Sequence, residues 1–249
     1  MKIHFLGTNG WYDTATGNTI CILVRTEEHE IILDAGNGFH KIESQVAGTK
    51  VRTGHLFLSH FHLDHLEGLH MLNTLKSFDR FVIAGPAGTK KVIDTLVNKP
   101  FTAPREKLPY GVDVVELPEE DHRVSFSLES APLLHADLCL GYRIAIGGKV
   151  LAYCPDTGYC QNAVRLARNA DLVIAECAFR SKETDPAWPH LNPEEAARIA
   201  REAGAKKLAL VHFDASRYRT IDDRKDAEKH ARMIFPDTVA TIDGMIMVV

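Results

Sequence analysis

Residues 55–65 read His55-Leu56-Phe57-Leu58-Ser59-His60-Phe61-His62-Leu63-Asp64-His65, an apolar run followed by three imidazoles and a carboxylate within six residues. Packing does not explain such a cluster, because a buried neutral imidazole needs a polar partner and an exposed one gains nothing from crowding. Metal binding explains it directly. Imidazole nitrogen and carboxylate oxygen are ligands for zinc and its neighbours. In an extended turn, residues two apart point the same way, so His60 and His62 can chelate one ion. Asp64 and His65 open the helix expected over 66–75 and can turn towards a second.

Working outward, the same placement recurs. His135 follows Ala131-Pro132-Leu133-Leu134, Asp156 follows the run 149–155, Glu176 follows Asp171-Leu172-Val173-Ile174-Ala175, and His212 follows Lys207-Leu208-Ala209-Leu210-Val211. Each polar residue sits just past a hydrophobic run. In open α/β sheets ligands collect at the carboxyl ends of strands, where rigid strands hold converging loops. Five such residues at five strand ends therefore point to one site.

The rest of the chain supplies the scaffold. Short apolar runs alternate with helix-patterned segments, which is an α/β pattern. Strands are expected at 2–6, 19–24, 30–33, 55–58, 81–84, 112–116, 124–128, 141–146, 149–154, 172–175, 207–211 and 245–248. Helices are expected at 66–75, 87–97, 162–167, 193–203 and 221–233. The helix at 193–203 is the best marked, with Asn192 as cap, Pro193 in the first turn, Glu195 three residues after the cap and Gly204 as the stop. Two sheets packed face to face with helices outside would bury every run. The expectation is one domain over residues 1–249, made of two similar β-then-α halves meeting near 115–125. The proline-bearing stretch 98–113 reads as an ordered surface loop, a plain connection or else a cover for a site.

Composition bounds the function. The chain has 249 residues, 45% hydrophobic and 25% charged, with a formal charge of −4, which disfavours broad electrostatic binding to nucleic acid. No apolar run approaches a membrane span or a signal peptide, so a cytoplasmic protein is expected. The five cysteines are scattered and never form a C-x-x-C pair, which reads as small core residues. Of the thirteen histidines, His4, His29, His40, His55, His122 and His230 read as ordinary, and His70 as a helix-surface residue. Asp34, before Ala35-Gly36, is either a carboxylate backing a ligand imidazole or a turn former.

The set His60–His65, His135, Asp156 in Pro155-Asp156-Thr157-Gly158, and His212 resembles the metallo-β-lactamase superfamily, over nearly the whole chain from Phe5-Leu6-Gly7-Thr8 and Leu33-Asp34-Ala35-Gly36 onward. That resemblance implies a four-layer αββα sandwich with two mixed sheets. It also implies a two-metal site, with His60, His62 and His135 on one ion, Asp64, His65 and His212 on the other, and Asp156 bridging. Zinc is the first expectation, with manganese and iron as alternatives.

Within the superfamily the chain is similar to ribonuclease Z and related small phosphodiesterases. The likeness lies in Leu140-Gly141-Tyr142-Arg143-Ile144, Ala175-Glu176-Cys177-Ala178-Phe179, and the stretch from His190 to Tyr218. It implies hydrolysis of a small phosphodiester, cyclic nucleotide or short RNA by metal-hydroxide attack. Asp64, His190 and Glu176 would be the catalytic residues, with His190 as general acid supported by Glu176. Arg217 and Tyr218 are candidates for substrate contact, a structural salt bridge being the other reading of Arg217. A homodimer is compatible with the likeness. Ribonuclease Z of the tRNA-processing kind carries a long arm where Gly147-Gly148 here reads as a tight hairpin, which favours a smaller substrate. The rival enzymatic reading is a carboxylic ester, lactone or thioester hydrolase on the same metals.

Overall fold

Strand alternation gives each apolar run two faces, and both faces are covered. Ile3 and Phe5 of Lys2–Gly7, Ile22 and Val24 of Cys21–Arg25, and Ile31 and Leu33 of Glu30–Leu33 all point into one core. Leu6, Cys21, Leu23 and Ile32 point the other way, under helices. Successive side chains in a strand face opposite sides, so runs apolar at every position belong to sheets buried twice over. The computed structural model describes residues 1–249 except for the side chain of His122, which lies outside the described residues.

Two mixed sheets result. The first runs in the order Ile246–Val248, Lys2–Gly7, Cys21–Arg25, Glu30–Leu33, Thr53–Phe57, Arg80–Gly85 and Gly111–Glu116. The second runs Thr238–Ala240, Leu208–Val211, Leu172–Glu176, Lys149–Cys154, Leu140–Ile146 and Ser127–Pro132. Each opens on an antiparallel meander and continues with parallel strands. Tyr142, Ile144, Leu151, Tyr153, Leu172 and Ile174 of the second sheet meet Phe5, Ile22, Leu33 and Phe57 of the first in a shared core. The helices Gln161–Ala167, Pro193–Glu202 and Ile221–Arg232 cover the outer face of the second sheet. Phe39, Ile42, Leu69, Leu72 and Ile93 cover that of the first. The architecture is the expected αββα sandwich.

Most element boundaries fall within two residues of the sequence reading, with three informative exceptions. The segment expected as an α-helix at 66–75 is a 3-10 helix, Glu67–Thr74. Its leucines explain why: Leu66, Leu69, Leu72 and Leu75 repeat every three residues and are all buried. That period aligns them in one column only at three residues per turn. The strand expected at 124–128 begins later, as Ser127–Pro132, because Val124 closes a turn by donating its N–H to the Asp121 carbonyl at 2.9 Å. The short strand Thr238–Ala240 and the helical stretch Asn37–Lys41 and Ile42–Val46 carry too little periodicity to be read from sequence.

Ile146 pairs with Lys149, and Gly147 and Gly148 between them take φ of 59° and 71°. Two consecutive positive φ values make the two-residue turn that follows strand twist, and glycine adopts them without steric cost. The two strands join directly, without an arm. Among the described residues no helix is long and apolar enough to cross a membrane. Cys21, Cys139, Cys154 and Cys177 are buried in the packing and Cys160 is half-buried, all as free thiols.

Candidate metal centre

The carboxyl ends of the strands bring the predicted residues together. Asp34 follows Glu30–Leu33 directly, His60 follows Thr53–Phe57, His135 follows Ser127–Pro132, Asp156 follows Lys149–Cys154, and His212 follows Leu208–Val211. His60, His62, His135 and Asp156 each offer a ligand atom within 4.8 Å of the others, and so do Asp64, His65 and His212. Asp156 straddles the two groups. Its Oδ2 lies 3.8 Å from His60 Nε2, and its Oδ1 lies 3.3 Å from both His65 Nε2 and His212 Nε2.

One buried carboxylate sets the tautomers of two of these histidines. Asp34 accepts from the Ser59 backbone N–H at 2.7 Å, the Ser59 hydroxyl at 2.8 Å, the Tyr153 hydroxyl at 2.6 Å and His65 Nδ1–H at 2.9 Å. Because the Ser59 hydroxyl donates to Asp34, its oxygen accepts from His60 Nδ1–H at 2.9 Å. Nδ1 of both rings thus carries a proton, and Nε2 of both rings faces Asp156. Of the two sequence readings of Asp34, the geometry matches the supporting carboxylate. Ser59 and Tyr153 escaped the sequence reading, though a tyrosine in an otherwise apolar strand was an available signal.

The second trio is held from the other side as well. Asp64 accepts the Trp11 backbone N–H at 2.7 Å and lies 3.3 Å from His212 Nε2. Gly10 packs flat on the His212 ring, where a Cβ would fall within 2.5 Å of ring carbon. Trp11, Asp34 and His212 all take positive φ, at 74°, 57° and 52°. Strained backbone of this kind persists where surrounding structure imposes it, commonly at functional sites.

The donor set fits cations. His60 Nε2, both nitrogens of His135 and Asp156 Oδ1 are buried without a hydrogen-bond partner. Each such orphan costs about 1–3 kcal/mol, which makes bare polar atoms pointed at one space an unfavourable arrangement in the absence of a ligand. Charge leads to the same conclusion. Burial pushes His60 down to about 2 and His135 down to about 4, so both are neutral lone-pair donors. Burial alone would depress His65 too, but Asp156, Asp34 and Asp64 outweigh it and hold its pKa well above the ordinary imidazole range. Carboxylates set among convergent imidazoles form a donor set suited to a cation.

Beside this centre, His190 Nδ1–H donates to Glu176 Oε1 at 2.7 Å. Glu176 also accepts the backbone N–H of Thr157 at 2.6 Å and of Ala178 at 3.0 Å, so it braces the Asp156 loop as well as the histidine. Burial disfavours the charged imidazole of His190, but the Glu176 carboxylate outweighs this and raises its pKa to about 9. His190 and Asp156 open onto a cleft of about 370 Å³ that also presents Trp11, Trp188, Phe179 and Arg217. Among the described residues nothing from 98–113 lines it, so that loop is a connection and not its cover.

Tyr218, expected at the substrate, is not in the cleft. It is fully buried, and its hydroxyl donates to the Phe179 carbonyl at 2.6 Å. Its side chain packs edge-on to Phe213 in the helix-side core, because the turn after Asp214 directs it inward. Arg217 does line the cleft, but its guanidinium is tied to Asp214 and, at 3.1 Å, to Glu183. The salt-bridge reading describes it better. His70 lies exposed on the 3-10 helix.

Comparison with known proteins agrees with this architecture. A family model described as a beta-lactamase superfamily domain matches residues 29–213. The chain belongs to the metallo-β-lactamase superfamily. Ribonuclease Z of Acaryochloris marina is 28% identical over 305 aligned positions, covering 98% of this chain and 96% of that protein. The alignment exceeds the 249 residues present here, so that relative carries sequence this chain lacks. Among solved structures, the metallo-β-lactamase fold protein YhfI from Bacillus subtilis superposes with a TM-score of 0.81 at 23% identity, covering 99% and 98% of the two chains. Human tRNase Z, short form, gives 0.73 at 21%, covering 100% and 99%. The chain is a metal-dependent hydrolase, similar over nearly its whole length to ribonuclease Z proteins.

Proposed function

We propose that the protein is a dinuclear phosphodiesterase acting on a small phosphodiester, a cyclic nucleotide or a short RNA. The observation that carries this reading is the junction of two features in one cleft: Asp156 shared between two histidine-rich trios, and the His190–Glu176 pair beside it. His60, His62 and His135 would hold one ion, Asp64, His65 and His212 the second, and Asp156 both. Zinc suits this nitrogen and oxygen set. When bound, two such cations supply an activated water at neutral pH and offset charge on the phosphoryl oxygens.

The chain's own residues do the rest. Asp34, directly at His65 and through Ser59 at His60, holds a proton on Nδ1 of each ring and leaves Nε2, aimed at Asp156, as the atom that would meet the cation. Glu176 holds the proton of His190 on Nδ1 and stabilises the imidazolium, leaving Nε2–H to donate to the departing oxygen. The P–O bond to that oxygen breaks as the bond from the attacking water forms; the leaving group takes the His190 proton and departs as the alcohol, and the proton the water gives up replaces the one lost from His190 by the end of the turnover. A positioned general acid contributes about 10²–10⁴-fold, most where the leaving group is poor. A carboxylic ester needs less of this help, which is why the His190–Glu176 pair favours the phosphodiester. The nucleic-acid names of the relatives support the same class.

The test is a substrate panel on metal-loaded protein comparing aryl phosphodiesters, cyclic nucleotides, short RNA and lactones, with elemental analysis alongside. About two divalent ions per chain and turnover confined to phosphodiesters are expected. Lactone turnover with no phosphodiester turnover would overturn the reading in favour of the ester hydrolase.

A further inference from the structure

The sequence has two tryptophans, and both stand at the mouth of the metal cleft. Trp11 is 65% exposed and Trp188 47% exposed. Large exposed aromatics rimming a concave polar site mark ligand contact. The chain at Trp11 is firmly held. The Trp11 backbone is fastened to Asp64 through its N–H, and the Asn9 side-chain amide donates to the Tyr12 carbonyl at 3.1 Å and the Gly17 carbonyl at 2.9 Å. Asn9 is itself gripped by the buried Arg224. Trp188 lies parallel to the His62 ring, at 7° and 6.0 Å, and 5.9 Å from the rings of His135 and His190.

The two indoles therefore belong to different sides of the centre, Trp188 beside His62 and His135, and Trp11 beside Asp64. A phosphodiester likewise has two ester arms. Charge is a poor means of recognising those arms here, since Arg217 is committed to Asp214 and Glu183. Stacking is the interaction the walls offer, and base–aromatic stacking tolerates any base because every base has a π-face.

We infer that the cleft recognises an internucleotide linkage, with the leaving nucleoside's base stacked on Trp188 and the retained nucleoside's base on Trp11. The assignment of sides follows from His190, the proton donor to the leaving oxygen, which adjoins Trp188. This inference rests on the phosphodiesterase reading and narrows it to nucleotide substrates with a planar ring on each arm.

The experiment uses the metal-loaded protein and four diesters: a dinucleotide, a nucleoside methyl phosphate in which the nucleoside leaves, its isomer in which methanol leaves, and a dialkyl phosphate. Trp188→Ala is expected to lower kcat/KM about tenfold on the dinucleotide and the nucleoside-leaving ester, with a clearly smaller loss on the methanol-leaving isomer. Trp11→Ala should show the opposite order, and Trp188→Phe and Trp11→Phe should restore most of each loss. Metal content measured on every variant separates stacking from a disturbed centre. Equal losses across all four diesters, or none, overturn the inference and leave the phosphodiesterase reading standing. An independent binding readout is intrinsic fluorescence, which comes from two indoles both at the cleft. Saturable quenching by a nucleoside monophosphate but not by ribose 5-phosphate supports base stacking even if turnover is absent, and an equal response to both overturns it.

Discussion

The two trios that share Asp156 are built differently. Asp64, His65 and His212 are preorganised: Asp34 fixes His65, the Trp11 N–H fixes Asp64, and Gly10 seats the His212 ring. In the other trio only His60 has such a support, through Ser59. His62 is half-buried and bonds the exposed Asp137 at 3.1 Å, while His135 has no polar partner on either nitrogen. Ligand histidines usually donate their second N–H to a fixed acceptor, and losing that acceptor weakens metal affinity. The comparison teaches that one half of the centre is fixed by the core, while the other leaves two of its imidazoles, His62 and His135, without buried acceptors.

Removing the element common to both halves has the largest effect. Asp156→Ala is expected to abolish hydrolysis of an activated aryl phosphodiester and to lower bound metal at both positions, measured by turnover and elemental analysis; unchanged turnover would show that the two trios act separately. His190→Ala should slow diesters with alkyl leaving groups by about 10²–10⁴-fold and activated aryl diesters far less. Equal losses on both would remove the general acid. Asp34→Ala should cost about 10–100-fold in metal affinity on the His65 side, measured by competition with a chelator. It should also lower Tm, because it strips the acceptor from four buried donors at about 1–3 kcal/mol for each left bare.

The pH profile tests the neighbouring acid. His190 donates only when protonated, so turnover of alkyl diesters should fall as pH rises through its pKa, which lies at about 9 without metal. Neighbouring cations lower that value, placing the limb below pH 9 in the loaded enzyme. Glu176→Gln removes the carboxylate that raises it and should move the limb to still lower pH; an unmoved limb would mean another group titrates. The smallest effect is expected from Asp137→Ala. Its carboxylate is mostly exposed and contributes little, so metal affinity at the His62 side should change by only a few-fold.

Much of the centre was legible because its densest part is local. His60, His62, Asp64 and His65 lie within six residues, and spacing alone brings their side chains together. His135, Asp156, Glu176 and His212 were legible through a second rule, their place past apolar runs, whereas His190, just before the helix with the capping box, was legible only through the resemblance to ribonuclease Z. Asn192 does accept from the Glu195 N–H at 2.9 Å as that capping box requires. Tyr218 was misplaced because neighbouring residues in a turn point in different directions, and no pattern in a single turn says which one the core takes.

By itself, then, the sequence determined which runs become strands, which residues end them, and that the residues at those ends are of the types that could hold metal ions, since period and spacing are short-range properties. It also contained the three-residue leucine repeat that makes 67–74 a 3-10 helix. Only the tertiary structure decided that Asp156 lies between two trios, that Asp34 orients His60 and His65 at once, and that Trp11 and Trp188 come to one cleft. Those relations join residues as far apart as His65 and His212, and nothing in the chain between them encodes the distance; the packing of two sheets through a common core does.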